Sequence, residues 1–224
     1  MSHAIVTGAS SGIGAAIVER LLTDGWTVTG ISRSAPDPRP GYEHRSLDLA
    51  TADAGAIRAT VACIRPKALI HAAGIMRGGL LGSLDMEAGA TMWRLHVAAA
   101  ALLADAVVPG MAEGGRVILI GSRVAAGAAQ RSQYAATKAA LIGMVRSWAI
   151  EQARRGITVN IVAPGATETP MLLDPNRTQV KPRLPPIGRF IQPGEVAATV
   201  AFLLSPDAGA ITGQQIVLCG GASL

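Results

Sequence analysis

Short apolar, β-branched runs alternate along the chain with longer stretches whose apolar positions recur at helical spacing. The runs 3–7 (HAIVT), 26–32 (WTVTGIS), 67–74 (KALIHAAG), 115–122 (GRVILIGS), 156–165 (GITVNIVAPG) and 213–221 (GQQIVLCGG) predict strands, and 44–49 (HRSLDL) predicts one more. Between them, 13–24, 51–64, 85–108, 132–154 and 193–204 predict helices. The strands are apolar throughout rather than alternating, which a sheet covered on both faces requires. This order predicts an α/β architecture: a doubly wound parallel sheet, right-handed crossovers and helices on both faces. With no internal repeat and no linker, 1–224 reads as a single domain. One proline-rich section, 171–192, breaks the alternation and reads as a loop over a ligand.

Composition narrows the class. Half of the residues are apolar but only 3% are aromatic, so small side chains must pack the core. No run reads as a membrane span: the best candidate, 97–108, is interrupted by Asp105 and falls short of the roughly 20 residues needed. The start of the chain lacks the basic and apolar regions of a signal peptide. Cys63 and Cys219 have no metal-ligand spacing and read as reduced core thiols of a cytoplasmic protein. The net charge of +5 invites a nucleic-acid partner. Against that, the arginines are scattered and the only adjacent basic pair is Arg154–Arg155. Neither a nucleic acid nor a membrane is therefore expected as a partner, and the positive field instead suits an anionic cofactor.

Two places along the alternation point to such a cofactor. TGASSGIG (7–14) leaves the first strand and opens the first helix. Gly8, Gly12 and Gly14 allow a tight turn and close backbone approach, and a helix N-terminus offers N–H groups to a phosphate. The spacing differs from the usual G-x-G-x-x-G fingerprint, so the position after the first strand carries the inference. At the end of the second strand an NAD-preferring dinucleotide fold places an acid. Here Ser32 stands in that place and Arg33 follows, which suits a 2′-phosphate and favours NADP(H) over NAD(H).

The candidate chemistry lies further on. Tyr134 and Lys138 are four apart on a predicted helix and share one face. A tyrosine, with an ordinary pKa of about 10, is a poor neutral-pH acid/base, and a neighbouring ammonium favours its phenolate. Ser122 lies just past the preceding strand, where its hydroxyl can return toward the start of that helix. Two hydroxyls there could grip a substrate oxygen while hydride transfers at the carbon.

Together these segments resemble the short-chain dehydrogenase/reductase family, over nearly the whole chain. The resemblance rests on TGASSGIG, LDL with Asp48, HAAG (71–74), IGS with Ser122, YAATK, ITVNIVAPGATETPM (157–171) and ITGQQIVLCGG (211–221). It implies a Rossmann-like sheet of seven strands and an NAD(P)(H) oxidoreductase acting on a small carbonyl or alcohol. It also implies that Tyr134 is the general acid/base, that Ser122 orients the substrate, and that Lys138 binds the nicotinamide ribose. Ser10, Ser11 and Ile13 would join the glycines around the cofactor. Asp48 and Leu49 would meet the adenine, and His71, Ala73 and Gly74 the adenosine side. Pro164, Gly165, Thr167 and Thr169 would hold the nicotinamide, and the segment after Met171 would cover the substrate. The long helices 85–108 and 132–154 would build a homodimer or homotetramer.

Two positions depart from the family pattern. His71 replaces an asparagine at the start of HAAG. His96 stands where a helical asparagine is thought to hold a relay water; a histidine there could relay a proton or simply pack. The substrate reads equally as a 3-oxoacyl thioester or a sugar or polyol. A catalytically weak dinucleotide sensor or scaffold is the rival from another class, and the intact Ser122, Tyr134 and Lys138 argue against it.

Overall fold

The computed structural model of the chain describes residues 1–172, 174 and 182–224. Seven strands form one sheet: β1 (His3–Thr7), β2 (Thr27–Ser32), β3 (Tyr42–Ser46), β4 (Ala68–His71), β5 (Arg116–Ile120), β6 (Thr158–Pro164) and β7 (Gln215–Leu218). Every pairing is parallel, and the spatial order is β3-β2-β1-β4-β5-β6-β7. The helices are α1 (Gly12–Thr23), α2 (Ala54–Val61), α3 (Met86–Trp93), α4 (Ala99–Val107), α5 (Ser132–Gln152) and α6 (Pro193–Leu204).

The unbroken apolar strands follow from two separate cores. Ala4 and Val6 of β1 pack with Ile17 and Leu21 of α1 and Val200 of α6. Ile5, between them, points the other way, into the cluster of Ile57 from α2, Leu103 from α4 and Leu141 from α5. Each face of the sheet thus carries its own helical layer, at period two along every inner strand. Strand order runs outward from β1 in one direction and from β4 in the other. A crevice opens where they part, at the C-terminal ends of β1 and β4.

Three sequence expectations shift. The third strand lies at Tyr42–Ser46 rather than 44–49, because β2 fixes its register from Val28↔Tyr42 to Ser32↔Ser46. Leu47 and Leu49 then leave the sheet and pack against the helical layer that holds α2. The helix expected over 51–64 spans only Ala54–Val61. Asp53 caps its start by accepting from the Ala56 N–H (2.7 Å), and Cys63 takes a left-handed φ of 63° just past its end. Cys63 is also exposed, not a core thiol, whereas Cys219 is buried as expected.

The helix expected over 85–108 starts after Asp85 and is interrupted by a π turn, Arg94–Ala98. The apolar helical run is longer than 97–108. By length and composition alone, Met86–Gly110 could cross a membrane. Half of its most apolar window is buried in the protein, with Leu103 and Val107 in the core beneath the sheet.

Candidate active site

The glycine loop is built to receive an anion. Gly8 has φ +66°, and a Cβ there would sit 2.9 Å from the backbone of Ala73. A Cβ on Gly14 would run into the carbonyl oxygen of Gly8. Only glycine lets α1 fold this closely over the loop. Ser11, at the N-cap of α1, makes no side-chain cap bond, and the first turn of α1 contains no acid. By contrast, α2 and α3 are closed by Asp53 and by Asp85, the latter accepting from the Ala88 N–H at 2.9 Å. The first N–H groups of α1 are thus left to face the cleft with the positive end of the helix dipole.

At the adenosine end, Ser32 closes β2. Its Oγ donates to the Ser34 carbonyl (2.9 Å), and the His44 ring lies 3.1 Å from the same Oγ. Arg33 is exposed on the cleft wall and has no ion-pair partner among the described residues. Asp48 Oδ1 accepts from the Ala50 N–H (3.0 Å), which fixes the turn that carries Asp48 and Leu49 to the cleft.

The chemical end is assembled from the connection between β5 and α5. Ser122 follows β5, and its Oγ accepts from the Val124 N–H at 3.2 Å. One helical turn separates Tyr134 from Lys138, and the Lys138 Nζ lies 5.9 Å from the Tyr134 ring centroid. Lys138 is only 5% exposed, and its Nζ donates to the Ile120 carbonyl at 2.8 Å. Burial lowers the ammonium pKa to about 8.

Two buried histidines brace this end. The Ile75 N–H donates to His96 Nε2 (3.1 Å), so the proton of the neutral ring sits on Nδ1 and is donated to Thr137 Oγ1 (2.9 Å). The Thr137 hydroxyl in turn donates a hydrogen bond to the Tyr134 carbonyl (2.8 Å). The His96 ring also meets the Tyr134 ring edge-on, with centroids 5.7 Å apart. His71 Nε2 donates to the carbonyl of Leu95, inside the π turn (3.0 Å). Its Nδ1 accepts from the Thr7 hydroxyl (2.9 Å), whose oxygen in turn accepts the Ala72 and Ala73 N–H groups (both 3.1 Å). Desolvation, reinforced by Lys138, pushes the His71 pKa down to about 4 and that of His96 well below its ordinary value.

One cleft, about 1080 Å³ in volume, gathers the sequence-derived residues. Gly8, Ser10, Ser11, Gly12, Ile13 and Gly14 line its phosphate end, and Ser32, Arg33, Asp48 and Leu49 its adenosine end. Ala73, Gly74, His96, Ser122, Tyr134, Lys138, Pro164, Gly165, Thr167 and Thr169 line the remainder. His71 is the exception: it is 2% exposed and off the cleft wall, because the last β4 side chain turns inward to reach the π turn. The covering segment expected over 171–192 falls partly on residues 173 and 175–181, which lie outside the described residues. Its described part holds to the site: Ile191 bridges Thr167, and its N–H donates to the Ala166 carbonyl (2.9 Å).

Sequence reading passed over Thr7 and Thr137, although both lie inside quoted motifs. Each is a small polar residue among apolar or small neighbours, which is a usable signal for a buried hydrogen-bonding role. It also passed over Arg123 and Arg131, which line the cleft beside the catalytic candidates.

Comparison with known proteins agrees with this construction. The family model described as Enoyl-(Acyl carrier protein) reductase matches residues 8–223. The chain is 38% identical to the 3-oxoacyl-[acyl-carrier-protein] reductase FabG of Vibrio harveyi, over 97% of this chain and 96% of that one. A short chain dehydrogenase family protein from Francisella tularensis subsp. tularensis superposes with a TM-score of 0.91 at 26% identity, over 100% of this chain and 99% of its own. A short chain dehydrogenase from Burkholderia cenocepacia, solved in complex with NADP, gives 0.87 at 32% identity, over 100% and 98%. A match of this extent, on a chain whose glycine loop, serine and tyrosine–lysine turn converge on one cleft, places the protein in the short-chain dehydrogenase/reductase family, as an NAD(P)(H)-dependent oxidoreductase.

Proposed function

We propose that the chain reduces the carbonyl of a 3-oxoacyl thioester with NADPH. The observation that carries this reading is the convergence of Ser122, Tyr134 and Lys138 with an uncapped, acid-free α1 terminus in one cleft. Identity to a 3-oxoacyl-[acyl-carrier-protein] reductase supports the thioester. The loop at 8–14 and the α1 terminus would hold the pyrophosphate, and Arg33 a 2′-phosphate. Lys138, with only one of its donors spent on Ile120, would bind the nicotinamide ribose. When bound, the dinucleotide supplies the hydride that goes to the carbonyl carbon.

The protein's own part is proton handling and placement. The Ser122 hydroxyl donates to the substrate oxygen and orients the carbonyl. Tyr134 then gives its phenolic proton to that oxygen as charge develops on it, and the phenolate recovers a proton from water. The Lys138 ammonium beside the ring favours the phenolate. His96 acts by position rather than as a relay. Both of its ring nitrogens are already spent, one on the turn at Ile75 and one on Thr137 of the tyrosine helix.

Trp93 and Ile150 are exposed on α3 and α5, which suits a homo-oligomer built on these helices in a cytoplasmic enzyme. The reading is tested with an acetoacetyl thioester and either cofactor. Wild type should use NADPH in preference to NADH. Arg33→Ala should raise the KM for NADPH by roughly tenfold or more, the worth of a charge-assisted pair, with little change for NADH. Equal loss on both cofactors removes Arg33 from that role, and no thioester reduction with either cofactor contradicts the reading itself.

A further inference from the structure

At the adenosine end, one polar cluster stands outside the chemistry. His44 sits in the middle of β3 and does not line the cleft. Its register partner on β2 is Gly30, and Ser46, two residues on, pairs with Ser32. Val28, Gly30 and Ser32 therefore share a face with Tyr42, His44 and Ser46. A Cβ on Gly30 would run into the Tyr42 hydroxyl, so glycine keeps this face open for the rings of β3. Across that opening, His44 Nε2 reaches both the Ser32 carbonyl (3.2 Å) and the Ser32 Oγ (3.1 Å).

A carbonyl only accepts, so Nε2 carries the ring proton. The Ser32 Oγ then receives that N–H and gives its own proton to the Ser34 carbonyl (2.9 Å). The same bend is held from two further points. The Leu47 N–H donates to the Ser32 carbonyl (3.2 Å), and the Ser46 hydroxyl donates to the Arg33 carbonyl (3.3 Å). Arg33 is thus fixed through its backbone and its neighbours, while its side chain stays exposed on the cleft wall.

A phosphate needs donors. Ser32 lines the cleft, yet its one hydroxyl proton is committed to Ser34. Discrimination for a 2′-phosphate then falls on Arg33, whose aim depends on the backbone beneath it. A long exposed side chain already loses rotamer freedom on pairing, and a loosely held base would add to that loss.

We infer that His44 is a positioning residue for cofactor choice: its hydrogen bonds to Ser32 fix the end of β2 that aims Arg33 at the 2′-phosphate. This rests on the NADPH reading above, and it places part of the cofactor selectivity on a side chain outside the cleft.

Adenosine 2′,5′-bisphosphate and adenosine 5′-monophosphate isolate this end of the cleft, since they differ only in the 2′-phosphate and need no turnover. Their dissociation constants are measured by calorimetry on wild type and on His44 variants. Wild type should prefer the bisphosphate. His44→Ala should cut that preference by about threefold to tenfold, the scale of a neutral hydrogen bond. His44→Gln should keep most of it, because its amide nitrogen can stand where Nε2 does. His44→Asn, whose shorter amide matches Nδ1, should not. In an Arg33→Ala background, His44→Ala should change the preference no further, because its effect passes through Arg33. A variant that is merely less stable binds both nucleotides less and leaves their ratio alone. An unchanged ratio in His44→Ala, or equal ratios in the glutamine and asparagine variants, overturns the inference and leaves the reductase reading standing. Equal binding of both nucleotides by wild type overturns the NADP assignment and this inference together. Failure to reduce the thioester, with the ratios as expected, overturns the reductase reading alone and supports the role of His44.

Discussion

Tyr134→Phe is expected to lower kcat by roughly a hundredfold or more, the usual contribution of a general acid/base group, while NADPH affinity stays within about twofold. The substitution removes one oxygen and keeps the ring. The edge-on contact with His96 and the neighbouring Lys138 Nζ are therefore retained. What is lost is the proton that the substrate oxygen needs as the carbonyl becomes an alkoxide. Direct titration of NADPH fluorescence separates the two quantities. A variant that turns over at the wild-type rate would remove Tyr134 from the chemistry. One that loses cofactor affinity in proportion to rate would make it a binding residue.

The second large effect is on stability in acid. His71 and His96 are buried as neutral rings, with folded pKa values below the ordinary 6.5, about 4 in the case of His71. The unfolded chain takes up protons below pH 6.5 that the native chain refuses, so stability must fall as the pH drops. Each histidine's contribution to stability is full above its unfolded value and is lost, at up to about 1.4 kcal/mol per pH unit, through the window down to its folded value. For His71 that window runs from 6.5 to about 4. Protonation would also put charge beside the buried ammonium of Lys138, which faces both rings electrostatically. Urea unfolding at a series of pH values should show the combined slope. His71→Asn and His96→Asn should each remove one histidine's share while lowering stability at neutral pH. An unchanged slope in both variants would mean that the rings are not held neutral.

The same pair explains what could and could not be read from sequence. The order of strands and helices was legible because burial on both faces demands continuous apolar runs, and β1, β4, β5 and β6 have them. β3 was misplaced because an edge strand needs no such run: pairing with β2, not hydrophobicity, sets its register. The catalytic candidates were legible because Tyr134 and Lys138 share a helix face, a purely local relation. The roles of His71 and His96 were not, because they depend on a π turn that brings Leu95 to β4 and on a turn that brings Ile75 to the ring. No local pattern announces either contact. Arg123 and Arg131 look like two more scattered arginines in the sequence, yet both line the cleft.

In the proposed reaction, hydride from NADPH and a proton from Tyr134 meet at one carbonyl in this cleft. The decisive measurement incubates the protein with NADPH deuterated at the transferring position and an acetoacetyl thioester, then weighs the product by mass spectrometry. The expected product is a 3-hydroxyacyl thioester carrying a single deuterium at carbon 3, formed at a strongly reduced rate by Tyr134→Phe. Product without that deuterium, or no reduction of the thioester by the wild-type protein, would contradict it.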